Sequence, residues 1–329
     1  MTKLYPLKFR TIFKDKLWGG EKIKTILGKD FSPLPNCGET WEISGVEGNI
    51  SEVAEGPLAG NNLKSLIEQY QANLVGESVY EKYGDEFPLL VKFIDANADL
   101  SIQVHPDDEL AKKRHNSFGK TEMWYIFQAD PGASLISGFN QPTDKEKYLH
   151  HLENKTLNKI LNYERVTAGD VFFMPAGRVH SIGKGCLLAE IQQTSDVTYR
   201  IYDFDRKDAA GNTRELHTAE ALDAIDYQYY QQYKSLYHPQ PDQPVQLATC
   251  PYFETSLLQL GQSMERDYHK LDSFVIYVCF EGGGHLLYEG GKVTFQQGDA
   301  LLLPASLKKV DLQPDKECSL LETYIPGVG

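Results

Sequence analysis

Most of the chain consists of short apolar or alternating segments that are separated by turn residues. Val, Ile, Phe and Tyr are concentrated in these segments, and Gly, Pro and Asp stand between them. Short strands bounded by turn residues are typical of an all-β sandwich or barrel, whereas a parallel α/β sheet needs a helix between most of its strands. The pattern therefore predicts a mainly β protein in which helices are insertions.

Three segments depart from this pattern and predict helices. Apolar residues recur with roughly helical spacing near 61–82, 142–164 and 216–233. The third segment begins near Thr218 and ends in an unusually tyrosine-rich tail. We interpret this tail as solvated surface or as packing between domains; its tyrosines are Tyr227, Tyr229, Tyr230 and Tyr233.

A ten-residue pattern occurs twice and indicates a duplicated β unit. Residues 168–177 and 297–306 both contain Gly-Asp, four apolar residues and Pro-Ala. Gly-Asp makes a tight turn into a buried strand, and Pro-Ala ends that strand. Because such turn-strand-turn units are common, the alternative to duplication is chance similarity of two of them. Duplication of a barrel, with the proline-rich stretch 238–244 as a linker, predicts an N-terminal domain over 1–235 and a C-terminal β domain over 236–329.

Composition narrows the possible partners. The 329 residues are 41% hydrophobic and 24% charged, as expected of a folded protein of about two domains. With 46 acidic and 33 basic side chains, the formal net charge is −13. An acidic surface repels nucleic acids and anionic membranes, so neither is a predicted partner. An anionic substrate would need a local basic pocket, and the sequence predicts no particular protein partner.

The sequence also predicts a cytoplasmic location. No apolar run approaches the length of about 18 residues that a membrane span needs, and the N-terminus lacks the continuous apolar stretch of a signal peptide. The five cysteines form neither a CxxC pair nor an even framework, which favours buried thiols in a reducing compartment.

Three segments carry candidate metal ligands. In the segment 100–106, strand alternation places Ser101, Gln103 and His105 on one face, opposite Leu100, Ile102 and Val104. In the segment 119–127, Glu122 shares a face with Trp124 and Ile126. His180 follows the bend that ends the first Gly-Asp strand.

Two imidazoles, a carboxylate and an amide oxygen suit a zinc-like divalent ion. The alternatives are an outward polar face for 101–105 and a salt bridge that satisfies the buried Glu122 with Lys120 or Arg178. In the second repeat, the position equivalent to His180 is Lys309. We therefore expect only the N-terminal domain to hold a metal.

These segments resemble the signature segments of type I mannose-6-phosphate isomerases. Ser-Ile-Gln-Val-His-Pro, Gly-Lys-Thr-Glu-Met and Pro-Ala-Gly-Arg-Val-His-Ser-Ile-Gly carry the resemblance, together with Leu17-Trp-Gly-Gly20, Gly38-Glu-Thr-Trp-Glu-Ile-Ser44 and the stretch 188–203. The resemblance covers most of residues 10–210 and extends to the C-terminal third only in outline. The length of the chain is similar to that of the short bacterial form of these enzymes.

The resemblance implies two cupin-like β-barrels of the jelly-roll type. It also implies one Zn²⁺ per chain in the N-terminal barrel, bound by Gln103, His105, Glu122 and His180. The implied reaction interconverts mannose 6-phosphate and fructose 6-phosphate by proton transfer through a cis-enediol.

The resemblance further implies that Arg200 is essential for activity and that Lys92 and Lys120 lie near the substrate. We expect Arg200 and Lys120 to be catalytic and Lys92, Ser101 and Asp196 to bind the substrate, with Ser101 as a candidate phosphate contact. Arg200 is always protonated and is a poor base, so the base stays open between a metal-bound water, Lys120, His105 and Asp196.

The residues alone leave other interpretations open. Arg200 could form a structural ion pair with Asp196, Asp203 or Asp205, and Lys92 could be a surface lysine with a buried stem. Two functional alternatives also remain, an isomerase of unphosphorylated mannose and a non-catalytic, sugar-sensing double cupin that keeps the metal.

Overall fold

The computed structural model describes residues 2–208 and 210–327. Strands occupy much more of the chain than helices do, as the apolar pattern predicts. The first part of the chain contains the strands β1 (Leu7–Lys8), β2 (Ile12–Lys14), β3 (Glu39–Ile43), β4 (Leu89–Asp95), β5 (Ile102–Val104), β6 (Glu122–Ala129), β7 (Ser134–Phe139), β8 (Leu161–Arg165), β9 (Val171–Met174), β10 (His180–Ile182), β11 (Cys186–Gln193), β12 (Tyr199–Tyr202) and β13 (Lys234–Ser235). The rest contains β14 (Pro244–Thr249), β15 (Glu254–Leu260), β16 (Met264–Asp267), β17 (Val275–Tyr288), β18 (Gly291–Gln296), β19 (Ala300–Leu303) and β20 (Lys309–Tyr324).

The helices are short and all belong to the first 224 residues. They are α1 (Lys22–Thr25), α2 (Leu63–Tyr70), α3 (Ala72–Val75), α4 (Glu77–Tyr83), α5 (Asp108–His115), α6 (Lys145–Glu153) and α7 (Thr218–Ala224). Across the described ranges, no helix is long and apolar enough to cross a membrane.

The strands form three antiparallel sheets. A five-stranded sheet has the order β12-β5-β10-β7-β8, and a seven-stranded sheet has the order β13-β9-β6-β11-β4-β3-β2. The third sheet has eight strands in the order β1-β19-β17-β20-β15-β14, with β16 pairing β20 and β18 pairing β17. The mainly β, cupin-like prediction is confirmed, and the facing sheets form sandwiches without closing into continuous hydrogen-bonded barrels.

The five- and seven-stranded sheets pack face to face around one core. Leu135 and Ile182 of the five-stranded sheet share this core with Trp124, Phe172 and Leu188 of the seven-stranded sheet. Because side chains alternate along a strand, the opposite face of the seven-stranded sheet packs on the eight-stranded sheet. Polar residues on the inner face of β4, β6 and β11 therefore point into the N-terminal sandwich.

The outer face of the five-stranded sheet is covered by helices. Ile102 and Val104 of β5 pack there with Tyr148 of α6 and Ala221 of α7. Leu100 was expected on this face but precedes β5 and lies in the inner core. The alternation expected for 100–105 was wrong at Leu100 because the strand begins only at Ile102.

The first strand joins the sheet that the C-terminal strands build. Leu7 of β1 lies opposite Leu302 of β19, so a short N-terminal segment crosses to that sheet. Lys234 of β13 lies opposite Phe172 at the edge of the seven-stranded sheet, close to the expected boundary near 235. The division into 1–235 and 236–329 stays a prediction.

The first predicted helix, 61–82, is wrong as a single element. Three short helices replace it, because the chain turns at Gln71 and Gly76, whose φ angles are 47° and 98°. A Cβ at Gly76 would lie 2.6 Å from the carbonyl oxygen of Asp272, so this position needs glycine for both conformation and close approach. Apolar spacing alone does not reveal these interruptions.

The other two predicted helices are too long. Within 142–164, the helix α6 ends at Glu153, and Leu161–Arg165 form β8 because they pair with β7. Within 216–233, α7 ends at Ala224 and the tyrosine-rich tail is not helical. The helix α5 was missed because Ala111 is its only buried residue, so it has no apolar stripe.

Replacing Leu188 by alanine is expected to destabilise the fold. Leu188 is 0% exposed between the two facing sheets, and its truncation leaves a cavity that typically costs about 2–5 kcal/mol of unfolding free energy. Chemical denaturation of the metal-free protein measures this loss. Leu236→Ala is the control, because Leu236 is 81% exposed and should change stability by less than about 0.5 kcal/mol. Equal losses in the two variants would contradict the packing.

Candidate active site

Strand ends bring three predicted ligands to one place inside the N-terminal sandwich. Glu122 begins β6, His180 begins β10, and His105 directly follows β5. His180 lies opposite Gln103 in the five-stranded sheet, and Gln103 lies opposite Arg200 of β12. Residues that are distant in the sequence therefore share one row across the sheet.

His105, Glu122 and His180 form a buried cluster with donor atoms that all lie within 4.8 Å of one another. The distance from His180 Nε2 to Glu122 Oε1 is 3.3 Å, and that from His105 Nε2 to Glu122 Oε2 is 3.6 Å. Donor atoms at about 2.0–2.1 Å from an ion at the centre of a tetrahedron are about 3.3–3.4 Å apart. The cluster therefore has the spacing that a single metal ion needs.

Backbone carbonyls orient both imidazoles of the cluster. Nδ1 of His105 lies 2.9 Å from the Val197 carbonyl oxygen, and Nδ1 of His180 lies 2.8 Å from that of Arg178. Because a carbonyl can only accept, each Nδ1 carries the hydrogen and each Nε2 presents a lone pair to Glu122. Burial lowers the pKa of His105 and lowers the pKa of His180 to about 4. Both imidazoles are thus in the neutral form that binds metals.

The carboxylate of Glu122 is incompletely satisfied by the protein. Its Oε1 is buried without a hydrogen-bond partner and faces the lone pair of His180 Nε2. Burial, and then the nearby Glu190, raise the pKa of Glu122 to about 7, and Lys120 opposes this rise. Two acceptor atoms that face each other in a buried place repel unless a cation lies between them. The donor set therefore fits a metal ion.

Gln103 lies beside the cluster. Its Nε2 is 3.2 Å from His180 Nε2, and its Oε1 is 3.4 Å from Ser101 Oγ. The two ends of an amide group differ only by a rotation of 180°, so the oxygen can occupy the position next to His180. Its role as a fourth ligand stays a prediction.

Lys120 adjoins the same cluster. Its Nζ contacts Glu122 Oε2 and lies 3.3 Å from His105 Nε2 and 3.9 Å from Glu190 Oε1. The ion pair considered for Glu122 thus forms with Lys120, whereas the Arg178 guanidinium lies over the rings of Tyr230 and Tyr233.

A cavity of about 440 Å³ contains every predicted catalytic and substrate-binding residue in its wall. These residues are Lys92, Ser101, Lys120, Asp196 and Arg200, and Gln103 joins them. The wall also holds Lys14, Lys16 and Arg214, so six basic side chains face three acidic ones, Glu39, Glu190 and Asp196. A larger cavity of about 920 Å³ has only Asp196 in common with the wall of the first cavity. Its wall contains none of His105, Glu122 and His180.

Hydrogen bonds from both the backbone and the side chain of Arg200 hold this residue in place. Its peptide N–H donates to Nδ1 of His217 over 3.1 Å, and its guanidinium donates to the carbonyl oxygen of Glu215 over 2.9 Å. Asp203, one of the three carboxylates considered as ion-pair partners of Arg200, binds Arg206 and Arg214 instead. In the described part of the chain, Arg200 forms no salt bridge, so its charge remains available at the cavity.

The chain closely matches known proteins over nearly its full length. It is 36% identical over 319 residues to the mannose-6-phosphate isomerase ManA of Bacillus subtilis, covering 95% of this chain and 97% of that protein. The chain belongs to the type I phosphomannose isomerase family. The family model described as the catalytic domain of type I phosphomannose isomerase matches residues 6–125, and the mannose-6-phosphate isomerase cupin domain matches residues 245–324.

Further phosphomannose isomerases agree in sequence and in fold. The chain is 33% identical to the mannose-6-phosphate isomerase of Streptococcus mutans, with 95% of this chain and 96% of that protein covered. The crystal structure of the mannose 6-phosphate isomerase from Bacillus subtilis superposes with a TM-score of 0.88 at 32% identity, covering 97% of this chain and 99% of that one.

The inner face of this phosphomannose isomerase chain also contains an acid that sequence reasoning missed. Glu190 of β11 accepts a hydrogen bond from Lys92 Nζ over 2.9 Å and one from Trp124 Nε1 over 2.8 Å. Burial would raise its pKa, but Lys120 and Lys92 outweigh burial and lower it. Lys92 is only 6% exposed, so the surface-lysine interpretation is wrong. A charged residue within an otherwise apolar strand is the sequence signal that could have revealed Glu190 in β11. The same signal pointed to Lys92 in β4.

Proposed function

We propose that the chain is a metal-dependent aldose–ketose isomerase that interconverts mannose 6-phosphate and fructose 6-phosphate. The observation that carries this proposal is the buried His105–Glu122–His180 cluster next to a cavity with six basic side chains. Family membership supports it, because the relatives from Bacillus subtilis and Streptococcus mutans are named mannose-6-phosphate isomerases.

The metal of this site is proposed to be zinc, one ion per chain. Two neutral imidazoles and a carboxylate, completed by the amide oxygen of Gln103, form a donor set that zinc accepts. When bound, zinc supplies a Lewis acid that polarises the oxygens of the open-chain sugar. The protein contributes the orientation of both imidazoles and the burial of Glu122, which excludes water from the donor atoms.

Arg200 and Lys120 are proposed to stabilise the negative charge that develops on the sugar oxygens. Proton transfer between C2 and C1 through a cis-enediol places this charge on O1 and O2. The guanidinium of Arg200 stays protonated and forms no salt bridge within the described ranges, so the donors that do not bind the Glu215 carbonyl are available for these oxygens. Lys120 adjoins both the cluster and the cavity, which suits a second donor.

Hydrogen bonds argue against His105 among the candidates for the general base. Both nitrogens of His105 are engaged, because Nδ1 binds the Val197 carbonyl and Nε2 faces Glu122 and Lys120. Among the other side chains proposed as bases, Lys120 also contacts Glu122 and His105, and Asp196 lies in the cavity wall. Asp196 also suits a contact to a sugar hydroxyl, and Lys92 holds Glu190 in place.

Coupling fructose 6-phosphate formation to NADPH production tests the proposed activity. Zinc-loaded protein is expected to convert mannose 6-phosphate and to lose activity with a chelator. Faster turnover of unphosphorylated mannose would favour the first alternative. Sugar-phosphate binding without turnover would favour the sensing alternative, and both outcomes would overturn the proposal.

Lys14 is proposed to contact the substrate phosphate. Among the described residues, the one hydrogen-bond partner of its Nζ is the neutral Asn49 side chain, and burial and the nearby Lys16 lower the pKa of Lys14. A phosphate dianion would offset this repulsion, and Ser101 in the same wall can donate a further hydrogen bond.

Replacing Lys14 by methionine is expected to raise the KM for mannose 6-phosphate about 10- to 100-fold, the usual worth of a hydrogen bond to a charged group. The effect on kcat should be small, because a contact to the phosphate is made equally in the ground state and in the transition state. Steady-state kinetics measure both constants. Lys64→Met is the matched control, since Lys64 lines the larger cavity. An unchanged KM in the Lys14 variant would remove Lys14 from the phosphate site.

A further inference from the structure

Part of the tyrosine-rich tail packs against the turn that precedes His180, whereas Tyr229 is exposed. Residues 226–233, here called the tyrosine segment, lie against the turn that leads into β10. The guanidinium of Arg178 stands 4.5 Å from the ring centroid of Tyr230 and 4.7 Å from that of Tyr233. Arg178 is 7% exposed, so these two cation–π contacts are shielded from water and are stronger than surface ones.

Hydrogen bonds hold the ring of Tyr233 in a fixed position. Its hydroxyl donates to the Phe139 carbonyl over 2.8 Å and accepts from the peptide N–H groups of Phe139 and Tyr230, each over 3.1 Å. One donor and two acceptor positions are all that a phenol offers. A Cβ at Gly138 would lie 2.4 Å from this ring, so the backbone of β7 approaches the ring closely.

The tyrosine segment is also tied to the turn itself. The Tyr230 hydroxyl donates to Asp226 Oδ2 over 2.8 Å, and the peptide N–H of Asp226 donates to the Gly177 carbonyl over 2.8 Å. Arg178 forms no salt bridge within the described ranges, and its Nε is buried without a partner. The two aromatic rings, together with the nearby charge of Asp226, therefore stabilise this buried cation.

Arg178 connects the tyrosine segment to His180. Its backbone carbonyl is the acceptor that fixes Nδ1 of His180, over 2.8 Å. The next carbonyl, that of Val179, accepts from the Gly138 peptide over 2.7 Å, beside the position that Tyr233 occupies. The residue clamped by the tyrosines thus supplies the hydrogen bond that aims Nε2 at Glu122.

We propose that the Tyr230–Arg178–Tyr233 stack positions His180 and thereby sets the affinity and geometry of the metal site. This inference rests on the proposed function, since it takes the cluster to be a metal site. Arg178 and the two tyrosines are positioning residues, because they act through His180. The stack lies outside the donor set and needs no contact with the substrate.

Arg178→Met tests this inference because it keeps the backbone carbonyl and much of the buried volume while removing the planar cation. Zinc affinity is measured by competition with a chromophoric chelator, and coordination geometry by the visible spectrum of the cobalt-substituted protein. We expect about 10- to 100-fold weaker zinc binding, the usual effect of losing a group that orients a metal ligand, and altered cobalt bands.

Substitutions in the tyrosine segment test the same positioning role from the other side of the stack. Tyr230→Leu should weaken zinc binding, and Tyr230→Phe should restore most of it, because phenylalanine keeps the ring face. Tyr229→Leu is the control, since Tyr229 is 39% exposed and makes no contact with Arg178. These variants decide the question if Arg178→Met does not fold.

Wild-type affinity and cobalt spectrum in folded Arg178→Met or Tyr230→Leu would overturn the positioning role. Lower thermal stability with unchanged zinc affinity would assign the stack to folding alone and would also overturn it. A wild-type protein that binds no zinc would overturn the metal site and this inference together. Failure of the metal site is thus distinguished from failure of the positioning role, because it is measured on the wild-type protein.

Discussion

His105→Ala is expected to lower kcat/KM for mannose 6-phosphate by about a thousandfold or more. The substitution removes one of the two imidazoles that face Glu122, and a bound metal supplies several kcal/mol of transition-state stabilisation, of which about 4 kcal/mol corresponds to a thousandfold. It also removes the hydrogen bond between His105 Nδ1 and the Val197 carbonyl. The coupled assay measures the loss, and atomic absorption measures the zinc content of the purified protein.

Zinc content distinguishes a damaged metal site from a damaged fold. His238→Ala is the matched control, because His238 is exposed and distant in sequence from the cluster, and it should keep both zinc and activity. Glu122→Gln tests the same site with little change in volume and should also lose zinc. Full activity, or a wild-type zinc content, in His105→Ala would contradict the metal role of the cluster.

The metal cluster could be predicted from the sequence because its members lie at the ends of short strands. Alternation within 119–127 placed Glu122 beside Trp124, and both face the inner core of the sandwich. The antiparallel register that brings Gln103 opposite His180 joins positions 77 residues apart. The donor set suggested that these positions meet, but strand periodicity carries no information on partners and did not predict this pairing.

The limits of the predictions have physical causes. Helices were predicted too long because tertiary pairing decided whether Leu161 continues a helix or enters β8. The role of the tyrosine-rich tail depends on Arg178, about 50 residues earlier in the chain, and no local pattern shows such a contact. Glu190 was overlooked because its partners, Lys92 and Trp124, are assembled only when β4, β11 and β6 pair.

The net charge of −13 conceals the local charge of the cavity. Six basic side chains and three acidic ones line its wall, so an anion meets an excess of positive charge there despite the acidic exterior. Of these bases, Lys92 is paired with Glu190 and Arg214 with Asp203, whereas Arg200 and Lys14 form no salt bridge among the described residues. A substrate can use the charge of such a base most fully, and of these two Arg200 belongs to the row that contains Gln103 and His180.

Arg200→Met is therefore expected to lower kcat about 100- to 1,000-fold, the usual cost of losing one donor to a developing oxyanion. Arg200→Lys should recover only part of this loss, because an ammonium group keeps the charge but not the planar set of donors. Steady-state kinetics measure kcat, and zinc content should stay at the wild-type level, since Arg200 does not belong to the donor cluster.

The control for charge alone is Arg10→Met, because Arg10 pairs with Glu52 at an exposed position outside the cavity. It should leave kcat within about twofold of the wild type, as exposed ion pairs contribute little. If Arg200→Met kept its kcat and lost only thermal stability, the contact of the guanidinium to Glu215 would be structural. A loss of kcat with zinc retained would instead separate the role of Arg200 from that of His105, because only His105 supplies a donor atom to the cluster.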